Sequence, residues 1–321
     1  MRYERDRPQF CSSNGPGGSS VSGLGASAQY WAWRTVSATV GRLPIRASYG
    51  LATAAGTAGY YLWPRGRRAT HANFRRVLPG ASQEEVRRVA RRSLVNYCRY
   101  LADFVRFPRL GPGAVVTLVD GGTEFASLDK VLEGGRGAVI VCMHFGNWDL
   151  GAAATAARGY HPTVVADTFA DPRLDAMVLG ARERLGMRVV KVEQVGPSLL
   201  RALKRNGLVA LLIDQPRDGD GVRVRFFGGE IAVPAGPARV ALRSGAKVIP
   251  TAFARVEPGK PNVVTLCDFG VELPHSGDRE QDIQALTQAI VASHEAFIRR
   301  YPDQWYMFRP MFVASGGEVA A

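Results

Sequence analysis

What this chain has little of narrows its possibilities. Four cysteines in 321 residues, Cys11, Cys98, Cys142 and Cys267, are scattered and form no CxxC pair. That spacing suits neither a zinc site nor a disulfide framework and reads as reduced thiols in the cytosol. Of the five histidines, His71, His161, His275 and His294 lie in separate segments without ligand spacing, so no metal is expected. No Ser or Cys occupies a GxSxG elbow, which removes the usual signature of an acyl-enzyme nucleophile. Long apolar runs are missing as well. The uncharged stretch "SYGLATAAGTAGYYLWP" (48 to 64) is too short and too rich in Gly and Thr for a membrane span. Residues 1–27 hold the Ser/Gly/Pro-rich "CSSNGPGGSSVSGLGAS" without the apolar centre of a signal peptide, and read as a disordered tail.

Negative charge is scarce too: 28 Asp and Glu against 41 Lys and Arg leave a net charge of +13. Such a surplus calls for an anionic partner, whether nucleic acid, anionic lipid or a phosphorylated substrate. Much of it is concentrated between residues 65 and 109, where arginines from Arg65 to Arg109 face only Glu84, Glu85 and Asp103. Residues 28–110 read as a basic helical part. Two helices are broken at Pro44, and a long one, "SQEEVRRVARRSLVNYCRYLADFVRF", is capped by Ser82 with acidic residues in its first turn. Trp31, Trp33, Tyr60, Tyr61 and Trp63 suit either a membrane–water boundary or a packed core. No RNP, KH, zinc-finger or helix-turn-helix pattern accompanies the arginines, which argues against nucleic acid as the partner.

From 111 to 312 strands and helices alternate. Strands are expected at 138–144, 162–167, 187–192, 208–214, 222–227, 247–255 and 262–269, and helices near 147–158, 172–185, 196–206, 235–244 and 279–300. Several strands are continuous apolar runs, as in sheets covered on both faces. The pattern predicts an α/β fold, an open mixed sheet flanked by helices. "DGDG" (218 to 221) reads as a turn, and 313–321 as a flexible tail.

In such sheets reacting groups collect at strand ends. His144 closes "AVIVCMH" and Asp214 closes "LVALLID", while Asp149 falls in the first turn of the helix after His144. A histidine before a helix and an aspartate one turn inside it can approach each other. The carboxylate then fixes the imidazole tautomer and stabilises the imidazolium, the arrangement that activates a hydroxyl. Free N–H groups at the same helix start suit a phosphate or an oxyanion.

"HFGNWD" resembles the His-x4-Asp/Glu motif of the lysophospholipid acyltransferase superfamily, and the chain resembles the bacterial lipid A and mycobacterial phosphatidylinositol mannoside acyltransferases within it. "ARERLGMRVV", "LLIDQPRDGDGVRVRFFGGEIAVPAGPARVALRSGAKVIP" and "YPDQWYMFRP" match further family segments, so the likeness spans about residues 28 to 312. The resemblance implies a glycerol-3-phosphate acyltransferase-like fold. It also implies His144 as general base, Asp149 in the same motif, Asp214 where the mannoside enzyme carries a charge-relay glutamate, and Arg182 neutralising a phosphate or developing charge. Either carboxylate can serve the imidazole. The expected activity is transfer of a fatty acyl chain from acyl-CoA to a hydroxyl of a phosphatidylinositol mannoside-type membrane glycolipid. The runner-up is a lipid A acyltransferase fed by acyl-carrier protein. The donor is a substrate and no cofactor is expected. The protein is expected to sit peripherally at the cytoplasmic face of the cell membrane, on an anionic surface.

Overall fold

The computed structural model describes residues 23–166, 168–191, 195–215 and 221–312. The expected tails over 1–22 and 313–321 and most of the "DGDG" turn lie outside them. Four helices lead: α1 (Gly23–Val40), α2 (Ile45–Leu62), α3 (Pro64–Val77) and α4 (Gln83–Phe104). The first begins at Gly23, inside the segment expected to be tail. Ser82 caps α4 by accepting the Glu85 N–H at 3.1 Å, as its sequence predicts. No helix among the described residues is long and apolar enough to cross a membrane.

The α/β part follows as α5 (Pro112–Leu118), β1 (Val119–Asp120), α6 (Gly122–Leu132), β2 (Ala138–Cys142), α7 (Trp148–Ala157), β3 (Thr163–Ala166), α8 (Pro172–Arg184), β4 (Arg188–Lys191), α9 (Val195–Lys204) and β5 (Leu208–Leu212). After these come β6 (Gly221–Phe226), β7 (Gly229–Pro234), α10 (Gly236–Ser244), β8 (Lys247–Arg255), β9 (Val263–Cys267) and α11 (Arg279–Arg300). Seven strands form one sheet in the order β1-β9-β8-β2-β5-β3-β4. All pairings in it are parallel except β8 with β9. The central strands β2, β5 and β8 are the apolar runs, and Val139, Val209 and Val248 are wholly buried between the helix layers.

One expected strand lies elsewhere. The 222–227 segment pairs antiparallel with β7 as a separate two-stranded hairpin rather than joining the sheet. Its outer backbone is satisfied by α11, where the Gln288 side chain accepts from the Arg225 N–H at 2.7 Å and donates to the Arg225 carbonyl at 3.0 Å.

Candidate active site

Register brings two strand-end residues together. Strands β2 and β5 run parallel with Cys142 opposite Leu212, so His144 and Asp214, each two positions further on, emerge side by side. Asp214 is fully buried and His144 keeps 22% of its side chain exposed. One carboxylate oxygen of Asp214 accepts the His144 backbone N–H at 2.7 Å, and the other lies 2.7 Å from ring Nδ1. Burial alone would push the Asp214 carboxyl up, but the His144 ring and these hydrogen bonds outweigh it and hold the group below the usual carboxylate range. An ionised carboxylate only accepts, so Nδ1 carries the proton and Nε2 presents its lone pair. Burial likewise opposes charge on His144, yet the Asp214 charge and hydrogen bond prevail and raise its pKa above 6.5.

The ring is fixed from both sides. Trp148 meets it edge-on with centroids 5.1 Å apart. The amide nitrogen of Gln215 stands 3.3 and 3.4 Å from the two ring nitrogens. Equidistance from both places that amide over the ring face, not on either in-plane lone pair.

Asp149 does not touch the imidazole, which corrects the expectation drawn from its spacing. Both its oxygens are taken by Arg182, through Nε at 2.7 Å and Nη2 at 3.0 Å, and the Tyr100 hydroxyl donates to the second at 2.7 Å. Two of the three Arg182 nitrogens are therefore committed to Asp149. Asp175 binds Lys191 at 2.8 Å. Burial opposes the Arg182 charge, but Asp149 overrides it and raises the guanidinium pKa. Burial, reinforced by the Asp149 charge, pushes the Tyr100 phenol up as well, so it stays a donor.

The loop between β2 and α7 spends its own N–H groups. Phe145 N–H bonds Met143 O at 2.7 Å, Gly146 N–H bonds Gln304 O at 2.9 Å, and Asn147 N–H bonds Phe253 O at 2.9 Å. Asn147 Oδ1 caps α7 by accepting the Leu150 N–H at 3.1 Å. The helix start thus offers fewer donors to an anion than its sequence suggests. Gly146 has φ +63° and lies so close to β8 that an added Cβ would meet Phe253 O at 1.9 Å. Only glycine fits there.

Residues the sequence reading passed over complete the frame. Asp103 accepts from Asn147 Nδ2 at 3.0 Å, Arg255 Nη2 at 2.7 Å and the Tyr49 hydroxyl at 2.6 Å. From the C-terminal segment, Tyr306 N–H donates to the His144 carbonyl at 2.8 Å. Helix α4 clamps that segment through Ser93 to Trp305 O at 2.6 Å and Asn96 to Asp303 O at 3.0 Å. The signal was present. Ser93, Asn96, Tyr100 and Asp103 recur every three or four positions and form a polar stripe on one face of α4. The basic helical part is therefore built into the site, not merely packed beside it.

Among the other histidines, His294 holds structure. Buried His294 places Nε2 3.1 Å from Val141 O, and burial lowers its pKa to about 4. Cys142 lies two positions before His144, and burial pushes its thiol up, so it is no thiolate.

Comparison with known proteins finds relatives along most of the chain. A family model described as bacterial lipid A biosynthesis acyltransferase matches residues 24–313. A phosphatidylinositol mannoside acyltransferase of Mycolicibacterium smegmatis is 29% identical over 305 residues, covering 93% of this chain and 94% of that protein. A Mycobacterium tuberculosis protein of the same name is 29% identical over 234 residues, covering 70% of this chain and 71% of the relative.

Proposed function

Because the chain belongs to the bacterial lipid A biosynthesis acyltransferase family and is an acyltransferase acting on lipid, we propose that it moves a fatty acyl chain from acyl-CoA to a hydroxyl of a phosphatidylinositol mannoside-type glycolipid. The likeness to the mycobacterial enzymes along nearly the whole chain supports that acceptor. The family description alone favours a lipid A-type acceptor, and the second reading pairs that acceptor with acyl-carrier protein as donor. Offering both donor–acceptor pairs to the purified chain separates the two.

The observation that carries the mechanism is the 2.7 Å contact from His144 Nδ1 to Asp214. It supports a direct transfer. Nε2 takes the proton of the acceptor hydroxyl, whose oxygen attacks the thioester carbonyl. The carbon–sulfur bond then breaks, and the imidazolium returns the proton to the departing thiolate. Asp214 stabilises the imidazolium in between, and no acyl-enzyme forms. His144→Ala should cut transfer by roughly 10²- to 10⁴-fold, the usual contribution of a general base, with the circular dichroism spectrum of the folded protein unchanged. Turnover at the wild-type rate would remove His144 from the mechanism.

The fold reading is a glycerol-3-phosphate acyltransferase-like sheet held against the cytoplasmic face of the cell membrane. Six large apolar side chains exposed on α1, α2 and the turn into α3 support it: Trp31, Val36, Leu51, Tyr61, Leu62 and Trp63, with exposed Arg65 and Arg68 beside the last two. Apolar anchors beside basic residues suit an anionic lipid surface, each cation adding about 1 kcal/mol. Replacing Leu62 and Trp63 with Asp should abolish co-sedimentation with phosphatidylinositol-containing vesicles. Undiminished pelleting would reject the membrane reading.

A further inference from the structure

Arg182 spends two of its three nitrogens on Asp149, which limits it for the phosphate-binding role expected of it. A second place offers what that role needs. A half-open cavity of about 200 Å³ lies between α1, the end of α4 and α8, walled by Trp33, Phe104 and Met177 and rimmed by Arg42, Arg109 and Arg184. Three guanidinium groups around one small cavity repel one another and call for anions. Among the described residues no ion pair includes any of the three. Arg42 spends one donor on the Ala38 carbonyl at 2.6 Å. Arg109 lies across the end of α1, where Gly41 makes room for it: an added Cβ would stand 2.3 Å from its Nη1.

We propose that this cavity binds the phosphate of an amphiphilic substrate. The three arginine forks match phosphate oxygens, and the aromatic wall takes the adjoining carbon skeleton. At about 200 Å³ the space is below the roughly 300–1,000 Å³ of a whole-ligand pocket. It therefore admits a phosphoryl group and its stem while the rest of the molecule lies outside. The position is apt. The Phe104 wall also supports the Arg182 guanidinium, 5.4 Å above its ring, and Arg182 holds Asp149 in the motif that begins at His144. Naming the sources rests on the acyltransferase reading: both the CoA donor and a phosphatidylinositol acceptor carry phosphate.

The test is calorimetric titration of the full chain with CoA and, separately, glycerophosphoinositol, at low and high salt. One of them should bind, more weakly as salt rises. Affinity should fall at least tenfold in the Arg109→Gln/Arg184→Gln variant and in Ala38→Leu, which fills the cavity from an exposed helical position. A response to CoA assigns the site to the donor, and one to glycerophosphoinositol assigns it to the acceptor. If the charge variant melts early, Ala38→Leu decides alone. Binding of neither compound by the wild type, or affinity untouched by the folded variants, overturns the proposal. Transfer assays on the same preparations keep the two readings apart. Active wild type with pocket-independent binding sinks only this site, whereas pocket-dependent binding without transfer sinks only the enzymatic reading.

Discussion

Two aspartates flank the same helix start, and they are held by opposite kinds of partner. Asp214 faces a titratable imidazole that keeps a fifth of its side chain open. Asp149 faces a guanidinium that never releases its proton, and a buried phenol closes what remains of its valence. A carboxylate whose partner can gain and lose a proton serves chemistry. One whose partner is permanently charged serves shape. Distance along the chain misleads here: Asp149 is five residues from His144 yet binds elsewhere, while Asp214 is seventy residues away and binds it.

The sharpest way to break this contrast is to neutralise Asp214. Asp214→Asn should lower transfer by about 10⁴-fold, the scale seen when a His–Asp pair loses its carboxylate and with it the correct tautomer. The pH profile carries the diagnostic sign. In the wild type the Asp214 charge raises the His144 pKa, so the acid limb of kcat/KM, where the base is lost to protonation, lies above 6.5. With the charge removed, burial outweighs the smaller pull of Asp149 and the limb should move to lower pH. A limb that stays in place would show that Asp214 does not govern the base.

How much of this was legible follows from what each feature depends on. β2, β5 and β8 could be read because unbroken apolar runs mean burial on both faces, and His144 and Asp214 could be read as strand ends. Two-residue β1 and the helices α5 and α6 carry no comparable run, and β7, ending at Pro234, is held by its hairpin partner and by the Ile231–Phe312 bridge. The pairing of His144 with Asp214 depends on the Cys142–Leu212 register, a tertiary quantity absent from any local window. Arg182 was picked out by resemblance, but its pairing with Asp149 was not legible because α8 reaches Asp149 only once the helices pack over the sheet. The polar stripe of α4 was masked by the arginines around it, which drew attention to the helix's outer face.

Neutralising Asp149 should have the smaller effect and of another kind. Asp149→Asn leaves the Arg182 guanidinium, whose side chain is 18% exposed, without a counter-charge. Breaking a buried ion pair from one side costs about 3–5 kcal/mol, visible as a lower denaturation midpoint at unchanged slope. The acid limb should stay close to its wild-type position, since Asp149 ranks last among the influences on His144. Adding Arg182→Gln should recover part of the lost stability, because the cost lies in the orphaned charge and not in the missing contact. If instead Asp149→Asn leaves the midpoint intact and displaces the pH limb, the division of labour is reversed: Asp149 would be the carboxylate that tunes the base, with Asp214 only holding the strand ends together.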